Sequence, residues 1–329
     1  MSSKWWLVIA ASGVVAFGVA ACGDDDDDGD GGSGTPSGLS GDIRVDGSST
    51  VAPLTEAIAE EFNAQNPDVR VTVGTSGTGG GFEKFCAGET DISDASRAIE
   101  EDEVKACESG GIAFEEIQVA NDALTVAINP NNPVSCLTVD QLKSVWEPKA
   151  TLKNWSDIQG LDPSFDAELA LYSPGTDSGT FDFFTEAING EEGAQRTADV
   201  NDIGEDDNAT VTGVSGADGG MGYFGYSFYQ ENQDQVKALE IDDGNGCVAP
   251  SPETAQDGSY SPLSRPLFVY PSAQALENET VDAFLKFYLD NINDVAEQVG
   301  FIPLTDDQLQ QSKDKLDSLV GGGGGTTTG

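Results

Sequence analysis

The sequence predicts an α/β fold built as two lobes, and three observations support this prediction. Between residue 42 and about residue 127, apolar runs typical of strands alternate with segments of helical periodicity, the pattern of a parallel sheet with crossover helices. A second unit of the same kind begins near Leu137. In both units, short turns rich in Ser, Thr and Gly follow a strand and open a helix.

The first unit contains two of these turns. Alternating apolar residues indicate a strand around Ile43, which is followed by the turn at residues 47–50 (Gly-Ser-Ser-Thr) and by a helix. A second strand around Val71 leads into the glycine-rich turn at residues 74–81 and then into a short helix from Phe82. Both turns therefore end where a helix begins.

The third turn, residues 174–181, lies in the second unit and has the sequence Pro-Gly-Thr-Asp-Ser-Gly-Thr-Phe. It follows a short apolar run and precedes a helix with Phe181, Phe184 and Ile188 on one face. A helix N-terminus presents free backbone N–H groups and the positive end of the helix dipole, which favour an oxyanion. Ordinary N-caps would explain one such turn. Three such turns in one chain instead indicate a single anion that all three turns hold.

The remaining elements of the first unit are predicted from shorter signals. Residues 91–97 are interpreted as a loop that carries Arg97, one of only 15 basic residues. The apolar runs at residues 117–120 and 124–128 indicate two buried strands.

The chain is expected to cross between the lobes twice. Residues 129–133 contain two prolines and three asparagines and mark the first crossing. A strand at residues 263–270 returns the chain to the first lobe, which a helix over residues 280–294 closes. Two connecting segments of this kind act as a hinge. The predicted boundaries are residues 42–127 and 265–320 for the first lobe and residues 128–264 for the second.

The two ends of the chain are predicted to lie outside the fold. Lys4 and the apolar run at residues 5–21 form a secretory signal peptide, and Val-Ala-Ala before Cys22 resembles the lipobox of bacterial lipoproteins. A single membrane-spanning helix is the alternative. Residues 22–41 are predicted to be an acidic Gly/Ser/Asp tether, and residues 321–329 a disordered Gly/Thr tail.

The four cysteines other than Cys22 predict two disulfides, because the protein is expected to be exported. Three pairings are possible. We favour Cys86–Cys107, which closes a local loop, and Cys136–Cys247, which spans a longer segment. A metal site is not predicted, because CxxC spacing and histidine are both missing from the sequence.

Composition and charge exclude several classes of function. The 58 acidic and 15 basic residues give a net charge of −43, which argues against nucleic acid or an anionic membrane surface as partners. An enclosed anion is compatible with this charge, because distant carboxylates are screened within about 10 Å. The sequence has no histidine and therefore no Ser-His-Asp triad, and it has no phosphate-binding loop of the NTPase type. We therefore predict neither an enzyme nor a bound cofactor.

Four segments together resemble the phosphate-binding receptor of the bacterial phosphate ABC transporter: residues 47–53 (GSSTVAP), 77–99, 177–181 (DSGTF) and 220–227 (GMGYFGYS). The resemblance covers residues 42–320. It implies the periplasmic-binding-protein fold, with two α/β lobes that close over one dehydrated phosphate. It also implies a receptor outside the cytoplasmic membrane that delivers phosphate to the permease of an ABC importer. We expect a monomer that reaches the membrane only through its lipid anchor.

The resemblance also implies which residues hold the anion. The positions that match the family's three anion-holding turns are Ser49, Thr50, Ser76, Thr78, Ser178, Gly179 and Thr180.

Two positions depart from the family pattern. Pro174 stands where better-known members carry an arginine, and Ser96 stands where they carry an aspartate acceptor. We therefore predict that Arg97 supplies the positive charge and that Asp177, rather than Asp94, accepts the hydrogen bond from the phosphate proton. Because of these departures, a receptor of the same fold for sulfate, molybdate or tungstate is the alternative function, and a surface adhesion lipoprotein is a third hypothesis.

Overall fold

The computed structural model describes residues 38–204 and 206–321. The predicted signal peptide, Cys22, most of the tether and the tail beyond residue 321 lie outside these residues. None of the helices in the described ranges is both long enough and apolar enough to cross a membrane.

The strands and helices alternate along most of the described chain, which confirms the predicted α/β class. The strands are β1 Gly41–Gly47, β2 Val69–Gly74, β3 Ile92–Ala95, β4 Ile117–Ile128, β5 Cys136–Thr138, β6 Ala170–Ser173, β7 Val200–Asp202, β8 Gly220–Gly225, β9 Lys237–Ala238, β10 Glu240–Asp242, β11 Cys247–Val248 and β12 Ser264–Pro271. The α-helices are α1 Ala52–Gln65, α2 Gly77–Cys86, α3 Glu101–Gly110, α4 Val139–Trp146, α5 Gly179–Phe184, α6 Asp207–Gly216, α7 Tyr226–Asn232, α8 Pro252–Gln256, α9 Glu279–Gln298 and α10 Asp306–Gly321. Shorter turns of helix are Trp155–Asp157, Thr185–Asn189 and Ala275–Glu277.

The main sheet has the strand order β2-β1-β3-β12-β4-β8-β6-β7, and β9 also pairs with β4. Pairing is parallel at both ends of the sheet, where β1 lies between β2 and β3 and where β6 lies between β7 and β8. The two central strands, β12 and β4, run antiparallel to their neighbours. A separate sheet contains β11, β10 and β5.

Strand β4 is shared between two hydrophobic cores. Residues up to Ala123 pair with β12, and residues from Leu124 pair with β8. Accordingly Ile117 packs in a first core with α1 and α9, whereas Leu124 packs in a second core with α4 and α5. The chain returns at the start of β12, where Leu263 belongs to the second core and Leu267 to the first. This is the two-lobe arrangement with a double connection; the residue boundaries of the lobes remain a prediction.

Two local predictions differ from the structure. Residues 91–97 are not only a loop, because Ile92–Ala95 form β3, a buried strand between β1 and β12. The sequence does not predict this strand, because two of its four buried residues, Ser93 and Asp94, are polar. The apolar runs at 117–120 and 124–128 form one continuous strand, since the polar pair between them continues the pairing with β12.

Helix α2 begins at Gly77, five residues before the predicted start, although glycine disfavours helix. Tertiary packing explains the exception at Gly81. A Cβ atom there would lie 2.5 Å from Gly47 Cα, so only glycine lets α2 approach the end of β1 this closely.

Both predicted disulfides are confirmed by the structure. Cys86–Cys107 joins the end of α2 to α3, and Cys136–Cys247 joins β5 to β11. In the described residues, the one group with metal-ligand proximity is Cys136, Glu240 and Cys247. Its two sulfur atoms are bonded to each other, so they offer no thiolate ligands.

A buried carboxyl group, Asp94, lies on β3 beneath the start of α1. Its side chain accepts a hydrogen bond from Thr55 Oγ1 at 2.8 Å, and that hydroxyl also lies 3.0 Å from the Tyr288 hydroxyl of α9. Complete burial raises the pKa of Asp94 to about 8, although the Thr55 bond opposes the shift. Asp94 is therefore protonated at neutral pH in the folded protein.

We predict that Asp94→Asn flattens the pH dependence of folding stability. An aspartate in the unfolded chain loses its proton near pH 4, whereas folded Asp94 keeps it to about pH 8. Unfolding therefore releases a proton between these values, and stability falls as pH rises through this window. Thermal unfolding from pH 5 to 9 should show a smaller decline for the variant than for the wild type. The exposed Asp68→Asn is the matched control; an Asp94→Asn curve parallel to that of the control contradicts the prediction.

Candidate functional site

A cavity of about 440 Å³ lies where the loop before α1, the start of α2, the loop after β3, helix α5 and the start of β12 converge. Its lining is mostly polar. The lining residues are Ser48, Ser49, Thr50, Ser76, Gly77, Thr78, Gly79, Gly80, Ser96, Arg97, Glu100, Asp182, Phe183, Glu186, Glu192 and Arg265. Two of the three predicted turns therefore meet at this cavity.

The start of α1 supplies the first wall. Its N-cap residue, Val51, has no side chain that can accept from the helix, so the first N–H groups of α1 lack a side-chain cap. Ser48 Oγ accepts from the Thr50 N–H at 3.2 Å, and this bond shapes the turn that carries Ser49. The predicted residues Ser49 and Thr50 both line the cavity.

The start of α2 supplies the second wall. The hydroxyls of Thr78 and Ser96 lie 3.1 Å apart, and the Ser96 N–H donates to Thr78 Oγ1 at 3.2 Å. Two predicted site residues that are distant in sequence are thus brought together. Ser76 also lines the cavity, but its hydroxyl donates to Asp46 at 2.5 Å, so this residue is held by the scaffold.

Arg97 lines the cavity as predicted, but its charge already has acidic partners. Its Nη1 and Nη2 donate to the two carboxylate oxygens of Glu103, both at 2.8 Å, and its Nε lies 3.4 Å from Glu100. The side chain is 33% exposed. Burial opposes ionisation of Glu103, but hydrogen bonds from Arg97 and from the Glu100 N–H hold the pKa of Glu103 below its usual value.

Arg265 is a second cationic residue at the cavity, and the sequence prediction missed it. Its side chain is only 13% exposed; Nη2 donates to Thr50 Oγ1 at 3.0 Å and Nε to Asp122 Oδ2 at 3.3 Å. Burial lowers the pKa of Arg265 and Asp122 opposes this, and the guanidinium stays charged because its ordinary value is far above neutral. One feature of the sequence could have identified Arg265: it lies in the strand that is predicted to return the chain from the second lobe to the first.

The third predicted turn lies beside the cavity. Among the described residues, Asp177, Ser178, Gly179 and Thr180 are not part of the cavity lining; Asp177 is exposed and Ser178 is buried. A Cβ atom on Gly179 would lie 3.3 Å from Thr50 Oγ1, so this turn packs against the first one. Contact of these four residues with a ligand stays a prediction.

Helix α5 instead presents a carboxylate and an aromatic ring. Asp182 and Phe183 line the cavity, together with the acidic residues Glu100, Glu186 and Glu192. Burial raises the pKa of Asp182, with a further contribution from Glu192, while Arg265 opposes the shift. The cavity therefore offers hydroxyl and guanidinium donors together with a carboxylate acceptor, a set that suits a small oxyanion carrying a proton.

The fold is the periplasmic-binding-protein fold. A sequence model described as a PBP superfamily domain matches residues 32–291, so the chain belongs to the PBP superfamily.

Individual relatives define the family more narrowly. The chain is 46% identical to Protein SphX of Synechococcus elongatus over 80% of this chain and 77% of that protein. It is 40% identical to the phosphate-binding protein PstS of Staphylococcus saprophyticus, over 97% of this chain and 96% of PstS. The crystal structure of a possible phosphate binding protein from Planctomyces limnophilus matches with a TM-score of 0.80 and 41% identity, covering 86% of this chain and 99% of the other. This protein is therefore a member of the family that contains SphX and PstS.

Proposed function

We propose that this protein is an extracytoplasmic receptor that binds inorganic phosphate and delivers it to the membrane permease of an ABC importer. The observation that carries the proposal is the convergence of Arg265, Arg97 and the hydroxyls of Thr50, Thr78 and Ser96 on one cavity. The relatives described as phosphate-binding proteins support the same ligand.

The chemistry of the cavity supports phosphate over sulfate. Phosphate near neutral pH always carries at least one proton and can donate a hydrogen bond, whereas sulfate carries none and cannot. A carboxylate in the cavity accepts that bond but meets sulfate with a repulsive lone pair. Asp182 lines the cavity and Asp177 does not, which supports Asp182 as the acceptor in place of the sequence-based choice.

We expect the purified full-length protein, freed of ligand, to bind phosphate at least 100-fold more tightly than sulfate, molybdate or tungstate, because a carboxylate acceptor that is left unpaired rejects the wrong anion. Isothermal titration calorimetry measures the four dissociation constants. Asp182→Asn should narrow the ratio of the phosphate and sulfate affinities, and Asp177→Asn, in the turn that leads into α5, is the comparison variant. If only Asp177→Asn narrows the ratio of the phosphate and sulfate affinities, Asp177 is the acceptor, as the sequence analysis predicted. A preference for sulfate or molybdate would reject the proposed function.

Arg265 is expected to contribute more to phosphate affinity than Arg97. Both carboxylate oxygens of Glu103 already pair with Arg97, whereas within the described residues Nη1 of Arg265 has no hydrogen-bond partner. Arg265→Gln should weaken binding about 100-fold, equivalent to about 3 kcal/mol, and Arg97→Gln by about tenfold or less.

Isothermal titration calorimetry gives the dissociation constant of each variant for phosphate, and circular dichroism checks that each variant is folded. Because Arg265→Gln strands the buried carboxylate of Asp122, the double variant Arg265→Gln/Asp122→Asn is measured in parallel. Equal losses in the two single variants, or a larger loss at Arg97, would contradict the assignment.

We also propose that the protein binds its ligand without chemical conversion. The chain has no histidine; the hydroxyls of Thr78 and Ser96 pair with each other and that of Thr50 accepts from Arg265. The Ser76 hydroxyl donates to Asp46, a carboxylate that does not line the cavity. Phosphate bound by such a site is released unchanged, as delivery to a permease requires.

The proposed location is the outer face of the cytoplasmic membrane, with a lipid on Cys22 and the protein acting as a monomer. The sequence of residues 1–22 supports this location, because an apolar segment after Lys4 ends at a cysteine preceded by Val-Ala-Ala, as in a lipobox. The described chain contacts the fold from its first residues, because the Ser40 carbonyl oxygen accepts a hydrogen bond from Thr280 Oγ1 of α9 at 3.0 Å.

Cys22→Ala is predicted to prevent lipid attachment, so that the protein is released in soluble form or accumulates as an unprocessed precursor. Two acyl chains anchor a protein stably, whereas loss of the attachment residue leaves no anchor. Cell fractionation with metabolic lipid labelling measures the outcome, and Cys136→Ala/Cys247→Ala controls for the loss of cysteine as such. A labelled, membrane-bound Cys22→Ala protein would reject the lipid-anchor proposal.

A further inference from the structure

One face of α5 covers a hydrogen-bonded pair contributed by two other parts of the fold. Gly179 and Phe183 are four residues apart in this helix and therefore share a face. Gly179 lies against Thr50, and Phe183 lies against Arg265. Thr50 and Arg265 are themselves hydrogen-bonded at 3.0 Å.

The contact between Phe183 and Arg265 is close and shielded from water. The guanidinium carbon of Arg265 lies 3.7 Å from the centroid of the Phe183 ring, and Phe183 is 5% exposed. The other contacts of the guanidinium are hydrogen bonds, from Nε to Asp122 and from Nη2 to Thr50. The two hydrogen bonds hold the guanidinium through Nε and Nη2, and the Phe183 ring adds a third contact that covers the group and restricts its movement.

Helix α5 is itself held firmly by the residue after Phe183. Phe184 is fully buried in the second core, where its ring stacks on Tyr223 at 3.8 Å and meets Trp146 at 5.5 Å. Asp122 and Arg265 are direct cross-strand neighbours on β4 and β12, the two strands that pass between the cores. Through α5, the contact between Phe183 and Arg265 therefore links the second core to the ion pair of Arg265 and Asp122 on β12 and β4.

We propose that Phe183 is a positioning residue for anion binding: by covering the guanidinium of Arg265 it holds that group at the cavity wall and makes ligand retention depend on α5 packing against it. The inference rests on the proposed phosphate-binding function. The competing interpretation is that Phe183 is an apolar wall residue whose loss would only loosen the fold. The two differ in whether the effect of Phe183 passes through Arg265.

The first test compares Phe183→Leu with Phe183→Tyr, which keeps the ring, and with Phe181→Leu. Phe181 is buried to a similar extent on the same helix but does not line the cavity, so it is the matched control. In full-length protein, we expect Phe183→Leu to raise the dissociation constant for inorganic phosphate at least tenfold, mainly through faster release in stopped-flow measurements. Phe183→Tyr and Phe181→Leu should stay within threefold of the wild type.

The second test is a double-mutant cycle with Arg265→Gln. If Phe183 acts through Arg265, adding Phe183→Leu to Arg265→Gln should weaken phosphate binding by less than threefold. The same tenfold loss in both backgrounds would overturn the inference, as would a wild-type dissociation constant for Phe183→Leu. A wild-type protein that fails to bind phosphate would instead overturn the proposed function, and this inference with it.

Discussion

The buried charge of Arg265 is the constraint on which the rest of the site depends. A guanidinium that is almost removed from water needs both a counter-charge and hydrogen-bond acceptors. Asp122 supplies the charge because the antiparallel register of β4 and β12 places it directly opposite Arg265. Thr50 supplies an acceptor, and Phe183 supplies an apolar cover. The cavity is thus built around a cation on β12 whose counter-charge lies opposite it on β4.

The electrostatics of the cavity are local and differ from those of the whole molecule. A net charge of −43 would repel any anion at long range, but salt screens distant carboxylates. At the cavity itself, two guanidinium groups and several hydroxyls form part of the lining. The carboxylates that also line the cavity, among them Asp182, favour an anion that still carries a proton. The acidic composition is therefore compatible with selective anion binding.

Close packing at two glycines brings the walls of the cavity together. The missing side chain of Gly81 lets α2 reach the end of β1, and that of Gly179 lets α5 reach Thr50. Beneath α1, the protonated carboxyl of Asp94 bonds to Thr55. These contacts fix the relative positions of helices whose first turns surround the cavity.

The sequence alone determined the α/β class, the double crossing between lobes, the presence of two disulfides and the turns at Thr50 and Thr78, whereas the structure decided among the three possible disulfide pairings. These features depend on periodicity, turn residues and cysteine context, which are local properties. Only the tertiary structure revealed the role of Arg265, the strand that contains Asp94, and the carboxylate of α5 at the cavity. The reason is that a strand arginine acquires its role from the register and helix packed against it, and these contacts join residues up to 215 positions apart. Local patterns carry no record of such pairings.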